Sequence, residues 1–383
     1  MKLSKKTLLI LPAVILSLTS CGKNKRYEAE KYVLNYYQAA DAQECTGDFN
    51  ILQLSDIHLG CMTDNDYHFK FIAKTIQKAK DALGSSPLHL IVITGDTFTF
   101  ANKTTVEEVC NFFEGQKIPW AITFGNHDEQ GYFAVDWLTN YLTRLSQTQD
   151  SHLLFVDYPD DDVFGSANYV IDLHDDKKAP DDYRQLVIMD SNRYNYGEGM
   201  GYDYIHLDQI DWYSRMHEYF FRKYLDVNDQ LSSLAFWHIA LPEYKEATVK
   251  AKSDESLYLK GNKYDGDFTY ENCPRDIHEE RDSTPLVNTG FFDRIEQLNY
   301  TKGIFVGHTH ANNSCINFQK DNNDKTDPVA LCYGVKSTNT VYYSKNGHLG
   351  GSLIRFHNGR DEVNNQYFQP DIIFHSYKDL EVK

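Results

Sequence analysis

The stretch Phe49-Asn50-Ile51-Leu52-Gln53-Leu54-Ser55-Asp56-Ile57-His58 decides the fold of this protein. Its apolar run, Ile51 to Ser55, has the composition of a buried strand and ends directly before Asp56 and His58. The same arrangement, an apolar run followed by a polar turn, recurs along the chain. It is typical of an α/β domain, in which buried strands alternate with amphipathic segments.

Five more apolar runs follow this first strand, and two helices are predicted beside them. The helices span Leu207 to Tyr224 and Phe291 to Leu298, where apolar residues recur at steps of three and four. Helices that alternate with strands are what βα units require, so periodicity establishes the α/β class. The further strands are predicted at Leu88 to Thr94, Trp120 to Phe124, Leu186 to Asp190, Ser233 to His238 and Gly303 to Gly307.

Five of the predicted strands end in residues of the types that bind metal ions. Open α/β sheets place their functional sites at the carboxyl ends of strands. Each segment alone is a weak signal, because a single histidine at a strand end is more often a satisfied polar residue. Together and in this order they predict one metal site. The segments are Ser55-Asp56-Ile57-His58, Gly95-Asp96, Gly125-Asn126-His127-Asp128, His238 and Gly307-His308-Thr309-His310.

These segments resemble, residue by residue, the signature of the calcineurin-like metallophosphoesterase superfamily: D-x-H, G-D, G-N-H-[DE], H and G-H-x-H. The resemblance spans Phe49 to Phe356. It implies a four-layer α/β/β/α sandwich, in which helices flank two mixed sheets. It also implies two metal ions that share one ligand, Asp96. The first ion would be held by Asp56, His58, Asp96 and His310, and the second by Asp96, Asn126, His238 and His308.

The residue types of these segments suit phosphoryl chemistry. Imidazole, carboxylate and amide ligands favour Fe, Mn or Zn and need no thiolate. Two such ions, about 3.5–4 Å apart, can clamp both the attacking and the leaving oxygen of an in-line displacement. A water that the two ions share loses its proton near neutral pH and can attack the phosphorus. The predicted reaction is therefore hydrolysis of a phosphoric ester without a side-chain nucleophile.

His127 follows Asn126 directly and, by the resemblance, either is the general acid that protonates the leaving oxygen or stabilises the charged transition state. An imidazole titrates in the range that this role needs. The second predicted catalytic residue is Asp128. We expect Asp128 or Asp56 to orient the ring of His127, as carboxylates often do beside metal-site histidines.

Further motifs resemble the purple-acid-phosphatase-like branch of the superfamily. They include Trp120 to Asp128, His206 to Trp212 and Trp237 to Tyr244. One position departs from true purple acid phosphatases, in which a tyrosine three residues after the bridging aspartate binds ferric iron. Here that position is Thr99, so no tyrosinate absorption band is expected, and the metal remains open between Fe, Mn and Zn.

The N-terminus has the pattern of an export signal. A basic start precedes the apolar run Leu8 to Leu18, and Leu18-Thr19-Ser20-Cys21 resembles a lipobox. The resemblance implies that residues 1–20 are a lipoprotein signal peptide. Lipidated Cys21 would then anchor the protein on the outer side of a membrane, facing a periplasm or the medium. The alternative is a transmembrane anchor, but the run is shorter than the roughly 20 residues that a span prefers.

The remaining domain boundaries follow from composition. Residues 21–48 are polar and are predicted to be a linker, with a possible short helix around Tyr32 to Tyr37. Residues 49–376 would form the catalytic domain, and residues 377–383 a tail. The oligomeric state stays open.

The net charge of the chain limits the kinds of partner that it can bind. The 383 residues contain 38 Lys and Arg against 55 Asp and Glu, a formal net charge of −17. So negative a surface repels nucleic acid, and none is expected as a partner. A small phosphorylated substrate, drawn in by metal ions, is the expected ligand.

Three features have two interpretations each. The charged segment Glu243 to Leu286 forms either a lid over the metal ions or a solvated excursion. Arg193, Tyr194 and Tyr244 follow strands, and they either contact substrate or pack within loops. The six cysteines other than Cys21 permit disulfides outside the cytoplasm, and buried free thiols are the alternative.

Three functions are compatible with this site. The resemblance favours a metal-dependent phosphatase that hydrolyses phosphomonoesters. A phosphodiesterase or nucleotidase would use the same metal ligands. A lipoprotein that binds a phosphorylated ligand or a metal without turnover is the alternative from another class, and His127 counts against it because a pure binder needs no general acid.

Overall fold

The computed structural model of the protein describes residues 29–45, 47–60, 62–158, 163–195, 201–259, 270–271, 284–310, 312–320, 326–340, 343–344, 349–361, 366–367 and 371–374. The predicted signal peptide, Cys21 and the predicted tail lie outside the described residues. No helix within these ranges is long and apolar enough to cross a bilayer.

The described chain alternates strands and helices. The strands of the two large sheets are β1 Val33–Asn35, β2 Phe49–Leu54, β3 Leu90–Thr94, β4 Trp120–Thr123, β5 Tyr169–Asp172, β6 Arg184–Ile188, β7 Ser232–Phe236, β8 Thr301–Val306, β9 Cys315–Phe318, β10 Val329–Tyr333, β11 Ser352–Phe356 and β12 Asp371–Phe374. The α-helices are α1 Asn65–Leu83, α2 Lys103–Gly115, α3 Val135–Ser146, α4 Leu207–Lys223, α5 Glu243–Ser253 and α6 Phe291–Leu298.

Short elements complete the description. Two-residue strands pair as Tyr194–Asn195 with Gly201–Tyr202, Tyr270–Glu271 with Tyr343–Ser344, and Arg360–Asp361 with Gln366–Tyr367. The 3-10 helices are Ala29–Tyr32, Tyr36–Gln38, Asp128–Gln130, Leu225–Gln230 and Glu255–Leu257.

The strands form a five-stranded and a seven-stranded sheet. The first sheet has the order β12-β11-β2-β3-β4, with β2, β3 and β4 parallel and β11 and β12 antiparallel. The second has the order β1-β5-β6-β7-β8-β10-β9, with β6, β7, β8 and β10 parallel. Both sheets are therefore mixed, as predicted.

Strand periodicity divides the core into layers. On β7, Leu234 and Phe236 join the cluster that contains the first sheet, and Phe236 stacks on Phe305 of β8 with ring centroids 5.2 Å apart. The alternate residue Ala235 joins the cluster around Trp212 of α4. Because successive strand residues point to opposite faces, the second sheet packs on the first sheet with one face and on α4, α5 and α6 with the other.

Helices α1, α2 and α3 pack with the first sheet. The predicted α/β/β/α sandwich of two mixed sheets flanked by helices is thus confirmed. The six predicted strands all form, within two residues at each end, and α6 has the predicted bounds.

The predicted linker over residues 21–48 is wrong from residue 29 onward. Strand β1 pairs parallel with β5, so this segment supplies an edge strand of the second sheet. Tyr32 and Tyr36 are buried, and the Tyr36 hydroxyl donates to the carbonyl of His89 at 3.0 Å. The polar composition of the segment concealed a strand of three residues, which is too short to produce a periodic signal.

The segment after β7 and the cysteines are also clarified. Glu243–Ser253 is helix α5, whose Tyr244 is buried and donates to the carbonyl of Ile304 at 2.9 Å, so Tyr244 is a packing residue. Residues 260–269 and 272–283 of the possible lid lie outside the described residues. A disulfide joins Cys315 and Cys332 on neighbouring strands, whereas Cys45 and Cys110 are buried free thiols.

Candidate metal centre

The five predicted ligand segments meet at one end of the sandwich. Those after β2, β3 and β4 come from the first sheet, and those after β7 and β8 come from the second. The side chains form two groups whose candidate ligand atoms lie within 4.8 Å of one another. One group contains Asp56, His58, Asp96 and His310, and the other contains Asp96, His238 and His308.

In the first group, the ligand atoms of four side chains lie close together. His310 Nε2 lies 3.2 Å from Asp56 Oδ1 and 3.0 Å from His58 Nε2. His58 Nε2 is 3.7 Å from Asp96 Oδ2. Two imidazole nitrogens this close to each other and to two carboxylates form the donor set of a cation site.

The second group shares Asp96 with the first. His238 Nε2 lies 3.2 Å from Asp96 Oδ2, and the ring centroid of His238 is 5.1 Å from that of His308. The side-chain amide of Asn126, the fourth predicted ligand, is oriented by a hydrogen bond that its Nδ2 donates to the Tyr194 hydroxyl at 2.8 Å. Because Asp96 belongs to both groups, it has the position that a bridging ligand requires.

Unpaired buried atoms test whether these residues fit metal ions. Asn126 Oδ1 is buried and accepts no hydrogen bond, and buried Asp56 Oδ1 and His238 Nε2 lie 3.2 Å from other candidate ligands, His310 and Asp96, without forming a well-aligned hydrogen bond. Each such atom costs about 1–3 kcal/mol unless something binds it. Since all three are predicted ligand atoms, the residues fit two ions, and their oxygen and imidazole donors suit Fe, Mn or Zn.

Outer hydrogen bonds fix the orientation of the candidate ligands. His238 Nδ1 donates to the carbonyl of Thr94 at 2.8 Å, which leaves its Nε2 to bind a cation. His58 Nδ1 lies 2.7 Å from Thr99 Oγ1, so the residue that replaces the iron-binding tyrosine contacts a ligand. The Ser55 hydroxyl donates to Asp56 Oδ2 at 2.7 Å and leaves Oδ1 for the ion.

The backbone of the ligand segments is strained. Four ligands have φ values in the left-handed region, between 52° and 69°. Non-glycine residues adopt this region at a cost of about 1–3 kcal/mol each, and they cluster at functional sites. The four residues are Asp56, His58, Asp96 and His308.

Crowding explains the glycines of the motifs. Gly95 has φ +82°, and a Cβ there would lie 2.7 Å from His238 Nδ1. A Cβ at Gly125 would collide with Asp96 Oδ1, and one at Gly307 with Ser55 Oγ. Glycine is therefore required by conformation and space at Gly95, and by space at Gly125 and Gly307.

His127 lies beside the first group, and its partner differs from the prediction. Its ring is 5.1 Å from that of His58, and its backbone N–H donates to Asp96 Oδ1 at 2.7 Å. Its Nδ1 lies 2.8 Å from Gln130 Oε1. The expectation that Asp128 or Asp56 orients His127 is therefore wrong, and Gln130 has this position. The 3-10 turn Asp128–Gln130 brings residue i+3 back to the ring, a local signal that the sequence did contain.

Asp128 instead braces the backbone. Its Oδ2 accepts from the N–H groups of Asp96 at 2.8 Å and Gly125 at 2.7 Å, and its Oδ1 accepts from Phe98 at 2.7 Å. Burial and the charge of Asp96 raise the pKa of this carboxyl to about 7. Asp128 thus joins the loops after β3 and β4.

The electrostatics of the site favour bound cations. Burial lowers the pKa of His308 to about 3, which keeps its imidazole neutral as a ligand must be. Burial also lowers the pKa of His238, but the carboxylates of Asp96 and Asp56 outweigh burial and raise it to about 9. The carboxylates therefore attract positive charge to the centre of the site.

Two tyrosines of a short pair of strands, Tyr194 and Tyr202, flank the second group. Tyr202 places its ring edge-on to His308 with centroids 4.2 Å apart, and it stacks on Tyr194 at 5.6 Å. Sequence reasoning singled out Tyr194 but missed Tyr202, which has no motif around it. Arg193, the other candidate for substrate contact, forms an ion pair with Glu129 and is about half exposed.

Comparisons with known proteins agree with this geometry. A relative in Arabidopsis thaliana, probable inactive purple acid phosphatase 29, is 28% identical over 311 residues, which are 75% of this chain and 71% of the relative. Phosphatase DCR2 of Saccharomyces cerevisiae is 26% identical over 310 residues, 75% of this chain and 48% of the relative.

A solved structure has the same fold. The dimetal phosphatase of Danio rerio, 9% identical, superimposes with a TM-score of 0.50 over 86% of this chain and 99% of its own. The family model of the calcineurin-like phosphoesterases matches residues 49–312, well over half of the chain. With the purple-acid-phosphatase-like relatives, this match establishes that the chain belongs to the calcineurin-like phosphoesterase family.

Proposed function

We propose that the protein is a dinuclear metal-dependent phosphatase that hydrolyses small phosphomonoesters outside the cytoplasm. The observation that carries the proposal is the pair of ligand groups joined at Asp96, with His127 beside them. Asp56, His58, Asp96 and His310 would hold one ion, and Asp96, Asn126, His238 and His308 the other.

The two ions, when bound, would supply charge that stabilises the phosphoryl group and acidify a water. The protein's own residues would orient the general acid and protonate the leaving oxygen. With Gln130 Oε1 accepting from Nδ1, His127 carries the transferred proton on Nε2 and delivers it to the leaving oxygen. The backbone bond from His127 to Asp96 Oδ1 keeps the acid in register with the bridging ligand.

The names of two relatives bear on whether this protein turns over substrate. The Arabidopsis relative is called probably inactive and the yeast relative a phosphatase. An inactive protein of this fold is expected to have lost a metal ligand or the general acid. This chain retains Asp96, Asn126 and His127, which supports an active enzyme and argues against a binding lipoprotein without turnover.

The location outside the cytoplasm is part of the proposal. It rests on the basic start, the apolar run and the lipobox-like Leu18-Thr19-Ser20-Cys21. Labelling of expressing cells with a radioactive fatty acid tests it. We expect label in the wild-type protein and none in Cys21→Ala, whereas equal labelling of both would exclude lipidation at this position.

The activity is tested on the full-length chain purified in detergent. Elemental mass spectrometry should find about two transition metals per chain, and p-nitrophenyl phosphate should be hydrolysed faster than bis-p-nitrophenyl phosphate. Faster hydrolysis of the diester would favour a phosphodiesterase or nucleotidase. Absence of bound metal after reconstitution with Mn, Fe and Zn would refute the proposal.

Two variants separate the roles of the site residues. Asp96→Asn should lose metal and turnover together because it removes the shared carboxylate. His127→Ala should keep its metal and lose about 10²–10⁴-fold in rate. The matched control is His357→Ala, at the opposite end of the first sheet, which should retain both. Metal loss in His127→Ala would contradict its assignment as the acid.

A further inference from the structure

A buried segment beyond the family match runs beside the first ligand loop. The Lys336–Thr340 segment follows β10, whereas the family model ends at residue 312. Ser337 N donates to the carbonyl of Ser55 at 2.8 Å, and Ser55 N donates to Ser337 Oγ at 2.8 Å. The segment is thus fixed to the residue that precedes the ligand Asp56.

Lys336 makes the next contact along the ligand loop. Its side chain is fully buried, and its Nζ donates to the backbone carbonyl of Asp56 at 2.6 Å and to Thr340 Oγ1 at 3.2 Å. Within the described residues, no carboxylate lies at ion-pair distance from this amino group. A buried amino group without a paired carboxylate is costly, and both of its acceptors lie on or beside the ligand loop.

Two threonines hold the following residue. The hydroxyls of Thr338 and Thr340 donate to the carbonyl of Ile57 at 2.8 and 3.0 Å. Both threonines are buried. Side chains of one segment therefore form hydrogen bonds with the backbone of three successive residues, from Ser55 to Ile57.

The loop that receives these bonds is the strained one. Asp56 and His58 have φ values of 55° and 53°, and each contributes a ligand atom to the first group. Such backbone conformations persist only when their surroundings fix them. The second group, by contrast, contains no residue of this loop. It shares only Asp96, which follows β3, with the first group.

We propose that the Lys336–Thr340 segment is a positioning clamp that sets the metal affinity of the site formed by Asp56, His58, Asp96 and His310, with Lys336 as its principal residue. The inference rests on the proposed function only in that these residues bind metal. Lys336 acts through the loop, since its Nζ donates to the backbone carbonyl of Asp56 rather than to a ligand atom.

Charge and positioning predict opposite effects, which makes the inference testable. A positive charge on Lys336 would repel metal ions, so if charge dominated, removing its amino group would tighten metal binding. If positioning dominates, removing it weakens binding. Changes to partners that orient ligands typically cost about 10–100-fold in metal affinity.

The experiment is titration of the metal-free full-length protein with Co²⁺, followed by the visible absorption of the bound ion. Wild type should bind two ions. Lys336→Met should bind one ion as wild type does and the other about 10–100-fold more weakly. Thr338→Val with Thr340→Val should weaken the same step without changing charge, and Thr338→Ser with Thr340→Ser should restore it.

The control is Lys302→Met, which removes another buried lysine, on β8 and away from the ligands. Lys302 Nζ forms an ion pair with Asp327 Oδ2 at 2.7 Å. This variant should leave both binding steps unchanged. Unchanged or tighter binding in both the Lys336 and the threonine-to-valine variants would overturn the clamp, as would an equal loss in the Lys302 control. If wild type binds no Co²⁺, the proposed function fails with it.

Discussion

The carboxylate of Asp128 accepts three backbone hydrogen bonds that come from two different loops. Its donors are Asp96 and Phe98, which follow β3, and Gly125, which follows β4. Since Asp96 belongs to both ligand groups, the position of this shared residue depends on the carboxylate of Asp128.

We predict that Asp128→Ala destabilises the whole domain. It leaves three buried N–H groups without acceptors, each costing about 1–3 kcal/mol, so the free energy of unfolding should fall by about 3 kcal/mol or more. Urea unfolding at pH 7 measures this. Asp150→Ala, on an exposed residue, should change stability by no more than about 0.5 kcal/mol. If the two variants unfold alike, Asp128 is not a brace.

At the scale of elements, His89 joins three segments at the start of β3. Its Nδ1 accepts from the backbone N–H of Asn50 at 2.9 Å, and its ring stacks on Phe49 at 4.8 Å. Its carbonyl accepts from Tyr36. Burial, with a smaller contribution from the charge of Arg184, lowers the pKa of His89 from 6.5 to about 4. The fold thus requires the neutral ring.

This pKa shift predicts a pH dependence of stability. Because the folded pKa lies below the unfolded one, the contribution of His89 is complete above pH 6.5. It is lost as pH falls from 6.5 towards 4, by up to about 3 kcal/mol. His89→Phe keeps the stacking but cannot titrate.

Urea unfolding of both proteins between pH 4 and 8 checks it. His89→Phe should be less stable at pH 7, since Asn50 loses its acceptor, and should lose less stability on acidification. Parallel curves for the two proteins over this range would refute the assignment.

At the scale of the whole molecule, the residues before Phe49 help to close the sandwich. Arg184 of the second sheet is buried against Asp182, and its guanidinium donates to the carbonyl of Gly47 at 2.7 Å and to that of Phe356 on β11. One side chain therefore connects both sheets and the N-terminal segment at the end opposite the metal ligands. That segment is structural.

We predict that a chain beginning at Asp48 is several kcal/mol less stable than one beginning at Glu28. It loses β1, the Arg184 acceptor at Gly47, and the buried side chains of Tyr32 and Tyr36, worth about 2 kcal/mol each. Thermal unfolding followed by circular dichroism compares the two. Equal melting temperatures would mean that residues 29–47 are a linker after all.

Prediction from sequence succeeded where the signal was local. The strand at Ile51 and the helix Phe291–Leu298 were recognised because their apolar spacing is continuous along the chain. The three residues of β1 and the pairing of Gln130 with His127 were not, since the first is too short for periodicity and the second competed with a familiar carboxylate.

The sequence by itself determined the α/β class and predicted the residues of the candidate metal centre, because ligand types directly follow apolar runs. Only the tertiary structure decided how they are arranged. It brings strand ends from two separate sheets together, fixes Asp56 and His58 in left-handed backbone, and binds the carbonyl of Asp56 with Lys336, 280 residues away. Contacts between residues so far apart in the chain arise from packing of the sheets, and no local pattern encodes them.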